Sequence, residues 1–121
     1  MVGGQTGQDN ATVFKGDVYR YNPSTNTWTS VAPLINQPRS HIAAATVVFN
    51  GKIYVLGGEG PGRIPLSNVE SYDPASNKWS SLTSMPGTRS SGIGNVIGNS
   101  LIFTTGYNGT FKSDTWIGDF S

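Results

Sequence analysis

The sequence predicts an all-β fold made of repeated units of short antiparallel strands, and three observations support this class. The chain has 121 residues with 16 glycines and 7 prolines, so turns are frequent. Segment 18–28 recurs as 69–79, with a Tyr and a Trp at matching places. No run has apolar residues at helical spacing. A fixed repeat is typical of folds in which similar units stack side by side.

Further matches give the length of one unit as about 50 residues. The other paired segments are Arg39-Ser40 with Arg89-Ser90, and Gly3-Gly4 with Gly57-Gly58. The interval between matching residues varies slightly because the loops differ in length. The chain therefore divides into a partial unit with strands two to four (1–34), a complete unit (35–86) and a partial unit with strands one to three (87–121).

The first half of the complete unit reads as a hairpin. Residues 41–49 form strand one, and Asn50-Gly51 supplies the positive φ values of a tight turn. Residues 52–56 form strand two, whose mostly apolar character predicts burial on both faces. Gly57-Gly58 ends this strand, where backbone without a Cβ can bend sharply or approach a neighbour closely.

The second half of the unit predicts another hairpin. Residues 67–72 form strand three, and the turn 73–77 contains a Pro that presets φ and an Asn that tolerates the left-handed region. Residues 78–82 form strand four, and 84–87 lead to the next unit. Each unit is therefore a four-stranded antiparallel sheet.

This ordered set of motifs resembles the kelch repeat, which forms one blade of a β-propeller. The matching pieces are residues 53–58, 69–74, 77–79 and 84–86, followed by Arg89. The third unit departs from the pattern, because Thr105-Gly106 replaces Gly-Gly and Gly118 stands where Tyr21 and Tyr72 stand. The resemblance predicts a partial kelch-type β-propeller of about two and a half blades.

The resemblance also implies a need for more blades, because kelch propellers generally have six or seven. An open arc leaves two large apolar faces in water. Either other copies of the chain or further sequence would complete the ring. We favour copies, since residues 1–104 span two blade periods and three chains would supply six blades.

Several residues recur because every blade needs them. Tyr21, Trp28, Tyr72 and Trp79 are expected in the core between blades, while Arg39 and Arg89 are expected to bind loop carbonyl groups. The other structural residues of the repeat are Gly3, Gly4, Gly57, Gly58 and Gly106.

Ligand-binding residues of a propeller lie in loops at the mouth of its central channel. In kelch domains that bind peptides, the resemblance implies residues just after the repeat Arg and just after Gly-Gly. The candidates here are Gln5, Ser40, His41, Glu59, Ser90, Ser91 and Tyr107. Donors, an acid and an aromatic ring suit a polar ligand, so the expected partner is a protein, peptide or glycan.

Composition excludes several other functions. The net charge is +1 and the basic residues are scattered, which argues against nucleic acid. No apolar run reaches the length of a membrane helix, so no membrane partner is expected. Zero Cys and a single His argue against disulfides, a metal site or a cofactor. Low charge with abundant Ser, Thr and Asn slightly favours a secreted or periplasmic protein, although no signal peptide is evident.

The sequence therefore favours a binding or scaffold module that recognises its partner at the channel mouth, and argues against an enzyme. One alternative is a carbohydrate-active propeller such as a sialic-acid mutarotase-like enzyme, in which Glu59 and His41 would supply the acid and the base. Another is a truncated fragment without independent activity.

Overall fold

The computed structural model describes residues 1–120, which contain twelve β-strands and three short 3-10 turns. This confirms the all-β class. The strands are β1 (Val2–Thr6), β2 (Val13–Asn22), β3 (Thr27–Val31), β4 (Thr46–Phe49), β5 (Lys52–Leu56), β6 (Glu59–Gly60), β7 (Ile64–Pro65), β8 (Val69–Asp73), β9 (Lys78–Leu82), β10 (Ile93–Ile97), β11 (Ser100–Thr104) and β12 (Thr115–Asp119). The 3-10 turns are Asp9–Ala11, Ala43–Ala45 and Pro61–Arg63.

Three antiparallel sheets contain all but two of these strands. Blade 1 has the order β1-β2-β3, blade 2 has β4-β5-β8-β9, and blade 3 has β10-β11-β12. The remaining two strands form a small separate hairpin, β6-β7. The register repeats between blades, because Tyr21 pairs with Trp28 in blade 1 as Tyr72 pairs with Trp79 in blade 2.

The middle blade differs from the sequence prediction in three places. Its first strand begins at Thr46 rather than at residue 41, because His41 has a φ of 59° and residues 43–45 form a 3-10 turn. Its third strand is Val69–Asp73, shifted towards the C-terminus from the predicted 67–72. The β6-β7 hairpin was not predicted, since strands of two residues leave no readable pattern.

Two apolar clusters hold the blades together. Between blades 1 and 2, the buried Trp79 donates its indole N–H to the Ala32 carbonyl at 2.7 Å. The buried Tyr72 packs 5.1 Å from the Trp79 ring and donates its hydroxyl to Asn77 Oδ1. Between blades 2 and 3, the second cluster is centred on Leu56 and Phe103. The core therefore consists of layers between successive blades.

The predicted burial of Tyr21 and Trp28 is wrong for the described residues. They make the same ring contact, at 5.0 Å, but Tyr21 is 42% exposed and Trp28 is 59% exposed. In blade 2 the equivalent pair is covered by blade 1, whereas no sheet among residues 1–120 covers this face of blade 1. Burial of these rings requires a neighbouring blade as well as the repeat itself.

The glycine pairs let the next blade approach very closely. The Gly58 amide donates to the Arg89 carbonyl at 2.9 Å, and the Gly4 amide donates to the Arg39 carbonyl at 2.8 Å. A Cβ on Gly57 would lie 2.5 Å from the Arg89 carbonyl oxygen. Since Gly57 also has a φ of 58°, sterics and backbone conformation both require glycine there.

Arg39 is fully buried and joins three segments of the chain. It donates to the Gly57 and Asn68 carbonyls and forms an ion pair with the equally buried Glu70. Burial lowers the pKa of the Arg39 guanidinium, while the charge and hydrogen bond of Glu70 oppose that shift. Glu70 also accepts the amides of Ile35 and Asn36 in the linker between blades. The ion pair therefore fixes blade 2 to its linker.

Arg89 takes a related position in blade 3 with different partners. It donates to the Thr88 carbonyl at 2.8 Å and to Asp114 Oδ2 at 2.7 Å, and its guanidinium lies 4.4 Å from the Trp116 ring centroid. Trp116 stands at the sequence position that Glu70 has in blade 2. In blade 3 the carboxylate that pairs with the repeat Arg therefore comes from Asp114. The pKa of the Asp114 carboxyl is lowered. The main cause is a hydrogen bond from its own backbone amide, and Arg89 lowers the pKa further through its hydrogen bond and its positive charge.

Within residues 1–120 no helix is long and apolar enough to cross a membrane.

We predict that Gly57→Ala destabilises the chain more than Gly98→Ala does. Both glycines have a left-handed φ, 58° and 60°, so each substitution has a similar backbone strain of about 1–2 kcal/mol. A Cβ at Gly98 meets nothing within 4 Å, whereas a Cβ at Gly57 meets the Arg89 carbonyl. We expect about 1–3 kcal/mol more destabilisation at Gly57, measured by urea unfolding. Equal losses would contradict this account of the contact between blades.

We predict that Asp114→Asn lowers the unfolding midpoint at neutral pH but not in acid. A carboxyl with a lowered pKa stabilises the fold above its unfolded pKa of about 3.9, and this stabilisation disappears as pH falls through the folded pKa. The difference between variant and wild type should therefore narrow below about pH 4 in thermal melts. Asp9→Asn is the matched control, since this side chain is 91% exposed and lies 3.9 Å from Arg63. A difference that persists unchanged in acid would contradict the assignment.

Candidate functional site

Two short β-bridges build one end of the molecule. Ser40 and Glu59 exchange backbone hydrogen bonds at 2.9 Å in both directions, and Ser90 and Tyr107 do the same. In each blade the residue after the repeat Arg is thereby joined to the residue after the glycine turn. The bridges bring together side chains that are 19 and 17 residues apart in the sequence.

His41 and Ser91 follow these bridges with unusual backbone conformations. Their φ values are 59° and 56°, in the left-handed region that non-glycine residues rarely adopt. The Ser91 amide donates to the His41 carbonyl at 3.1 Å, which links blade 2 to blade 3 at this end. Strained backbone held by surrounding hydrogen bonds is often found at functional sites.

A polar network surrounds His41. The Ser40 hydroxyl lies 2.8 Å from both Gln5 Oε1 and His41 Nδ1, and it donates to Gln5. The contact between Ser40 Oγ and His41 Nδ1 joins the ring to this hydroxyl. The same Nδ1 lies 3.8 Å from Glu59 Oε1. His41 therefore belongs to one network with Ser40, Gln5 and Glu59.

An exposed aromatic pair lies beside this network. Tyr107 and Phe111 flank a tight loop, and their ring centroids are 5.5 Å apart in an edge-to-face arrangement. Phe111 is 91% exposed, the most exposed large apolar side chain among residues 1–120, and Tyr107 is 40% exposed. The Lys112 amide donates to the Gly106 carbonyl and closes the loop. The loop therefore holds two rings in water at this end.

These groups line one cleft of about 430 Å³, which we call the mouth cleft. Its lining residues are His41, Glu59, Ser90, Ser91, Thr105, Gly106, Tyr107, Phe111 and Lys112. Five of the seven predicted ligand residues are in this lining. Ser40 is buried behind it, and Gln5 is exposed and connected to it only through Ser40.

The four other lining residues were not predicted as ligand contacts: Thr105, Phe111, Lys112, and Gly106, which was predicted only as a structural residue of the repeat. Phe111 and Lys112 follow the Asn108-Gly109 turn, and that turn was a readable signal that the chain doubles back towards Tyr107. Thr105 stands where the other units have Gly3 and Gly57, and it keeps a left-handed φ of 64°. A β-branched residue is strained there.

The mouth cleft offers donors, acceptors, both signs of charge and an apolar edge. Within the described part of the chain, no three His, Asp or Glu side chains lie close enough to hold a metal ion. The groups that line the cleft can form hydrogen bonds and ring contacts, and an imidazole and a carboxylate such as those of His41 and Glu59 can act as acid or base.

Comparison with known proteins identifies the repeat. The family model described as the Kelch motif matches residues 2–35 and 42–86. Spermatocyte protein spe-26 of Caenorhabditis elegans is 30% identical over 114 residues, which cover 90% of this chain and 19% of that protein. Human Kelch repeat and BTB domain-containing protein 13 is 40% identical over 86 residues, covering 71% of this chain and 18% of that protein. The chain thus spans less than a fifth of either relative.

The solved structure of YjhT is similar in fold. It aligns with a TM-score of 0.66 and 19% identity, and the alignment covers 88% of this chain and 34% of that chain. The fold agreement and the matched repeat confirm the resemblance that the sequence predicted. The chain belongs to the kelch repeat family, and its three sheets are blades of a partial kelch-type β-propeller.

Proposed function

We propose that this chain is a protein-binding kelch module and that the mouth cleft recognises a short peptide segment of its partner. The observation that carries the proposal is the aromatic pair of Tyr107 and Phe111 beside a hydrogen-bonding network. Aromatic side chains are enriched at the centres of protein interfaces because they bury a large area with few rotatable bonds.

The polar part of the cleft suits a peptide backbone. Ser90 and Ser91 hydroxyls can donate or accept, Glu59 accepts, and Lys112 donates. A peptide has both amide donors and carbonyl acceptors, whereas an anion would meet Glu59 unfavourably. Relatives named as BTB and F-box proteins with kelch repeats support a scaffold role, since the kelch repeats there stand beside other domains.

A carbohydrate-active function is the second candidate. His41 Nδ1 lies 3.8 Å from Glu59 Oε1, so an imidazole and a carboxylate share one cleft, and exposed rings can stack on sugars. Nuclear magnetic resonance of N-acetylneuraminic acid would detect accelerated interconversion of its anomers. Acceleration that His41→Ala abolishes would favour this candidate over peptide binding.

We also propose that other copies of the chain cover the exposed faces of the outer blades. In blade 2, blade 1 covers the ring pair of Tyr72 and Trp79. The equivalent pair of blade 1, Tyr21 and Trp28, is exposed. Burying one large aromatic side chain favours association by about 1.5–3 kcal/mol.

Copy-to-copy association predicts an oligomer in solution. Light scattering should give a mass of at least twice 12.8 kDa, since two or more copies are needed to cover the exposed faces of the outer blades. Trp28→Ser should reduce this mass, because it removes the exposed ring, whereas Val48→Ser on β4 should leave it unchanged. A wild-type monomer at all concentrations would exclude a ring made of copies.

For the mouth cleft, we predict that Tyr107→Ala and Phe111→Ala each weaken peptide binding about tenfold or more. The peptides would be selected from a random phage-displayed library on the wild-type chain, then synthesised and titrated by calorimetry. Ile97→Ala is the control, since this apolar side chain is 66% exposed at the far end of β10. Affinities unchanged in both aromatic variants would show that the mouth cleft is not the binding site.

A further inference from the structure

The chain contains two Asn-Gly pairs, Asn50-Gly51 and Asn108-Gly109, and both are exposed. An aromatic residue precedes each pair, Phe49 in the first and Tyr107 in the second. Asparagine before glycine is the arrangement most prone to deamidation, because glycine has no Cβ to hinder the approach of its amide nitrogen to the asparagine side chain. The local sequence therefore gives both pairs similar intrinsic reactivity, and only the fold distinguishes them.

The fold holds the first pair in a regular hairpin. Asn50-Gly51 is the turn between β4 and β5, with φ values of 49° and 73°. These left-handed values are typical of a two-residue hairpin turn. Phe49 pairs with Lys52 directly beside the turn, and three further residue pairs continue the ladder. Rearrangement of this turn therefore requires opening of the ladder beside it.

The second pair lies in a loop with less support, residues 107–112, which we call the mouth loop. Its base is an isolated bridge between Tyr107 and Phe111, and the next strand, β12, begins only at Thr115. Within residues 1–120, no ladder of strand pairs directly flanks Asn108-Gly109. The mouth loop can therefore change its backbone conformation without opening a sheet.

Neither reacting group of the second pair has another partner. Among residues 1–120, the Gly109 amide donates no hydrogen bond and the Asn108 side chain forms none. A Cβ on Gly109 would meet nothing within 4 Å, so the space around this residue is open. By contrast, the side chains of Asn22, Asn26 and Asn77 accept hydrogen bonds in the turns of blades 1 and 2. The Asn108 side chain is therefore available to the Gly109 amide.

We propose that Asn108-Gly109 is a site of spontaneous deamidation in the folded chain. The Gly109 amide nitrogen attacks Asn108 Cγ, and the new C–N bond closes a succinimide ring. The side-chain Nδ2 leaves as ammonia and takes the proton of the Gly109 amide with it. Water then opens the ring at either of its carbonyl carbons and leaves aspartate or isoaspartate at position 108. Water is the only co-reactant.

Either product changes the mouth cleft. Aspartate or isoaspartate adds a carboxylate next to Tyr107, in the loop that also carries Lys112, and takes the formal net charge of the chain from +1 to zero. In isoaspartate the main chain passes through the side-chain carbons, which lengthens the loop between Tyr107 and Phe111 by one carbon atom. We expect this to separate the two rings, whose centroids are 5.5 Å apart. The modification does not depend on whether the mouth cleft binds a peptide.

Incubation of the full chain tests the site. Aliquots taken over time at mildly alkaline pH would be digested briefly with trypsin, which releases residues 40–52 and 90–112 as separate peptides. Mass spectrometry with fragmentation then measures the conversion of Asn50 in the first peptide and of Asn108 in the second. We expect Asn108 to react about tenfold faster than Asn50 or more, which corresponds to a barrier lower by about 1.4 kcal/mol.

The unfolded chain is the matched reference. In concentrated urea neither turn is held, so Asn50 and Asn108 should react at similar rates. Asn108→Gln is the matched variant, because it keeps the amide but lengthens the side chain, and ring closure then becomes much slower. It should slow the loss of net charge that ion exchange detects. Equal rates at Asn50 and Asn108 in the folded chain, or an Asn108 that stays intact while the urea sample converts, would overturn the proposal.

Nuclear magnetic resonance tests the effect on the ring pair. Cross-relaxation between the ring protons of Tyr107 and Phe111 should weaken in the aged chain, which contains isoaspartate. It should persist in Asn108→Asp, which keeps the normal main chain. An unchanged ring contact in a chain that contains isoaspartate would contradict the expected separation.

Discussion

In blade 2 the Gly58 amide donates to the Arg89 carbonyl, and in blade 1 the Gly4 amide donates to the Arg39 carbonyl. This backbone contact between successive blades determines much of the remaining structure. It also requires a glycine just before each donor, because a Cβ on Gly57 would lie 2.5 Å from the Arg89 carbonyl oxygen and a Cβ on Gly3 would lie 2.6 Å from the Arg39 carbonyl oxygen. The repeat Arg that supplies this carbonyl has a buried side chain, and a buried positive charge needs a partner of opposite charge.

The acidic partner of the repeat Arg differs between blades 2 and 3. Arg39 pairs with the buried Glu70, which also holds the linker amides, whereas Arg89 pairs with the half-exposed Asp114 and lies against Trp116. The same backbone contact is thus compatible with different side chains at the blade ends.

The two departures of blade 3 from the repeat both lie beside clefts. Thr105 replaces a glycine and lines the mouth cleft, and Gly118 replaces a tyrosine and lines a second cleft, of about 520 Å³, between blades 2 and 3. A sequence that breaks its own repeat at a cleft wall gives up local packing or accepts backbone strain there. Thr105 and Gly118 therefore give blade 3 cleft walls that differ from the equivalent surfaces of the other two blades, while its strands still pair regularly.

The sequence alone determined the all-β class, the repeat, and the bounds of β5 and β9, because turn residues and alternating apolar residues are local signals. It also identified five residues of the mouth cleft through the family resemblance. Only the tertiary structure decided that Glu70 is the partner of Arg39, that Phe111 lies beside Tyr107, and that Trp28 is exposed while Trp79 is buried. These features depend on contacts between segments that are distant in sequence, and on whether a neighbouring blade covers a given face. A local sequence pattern predicts neither.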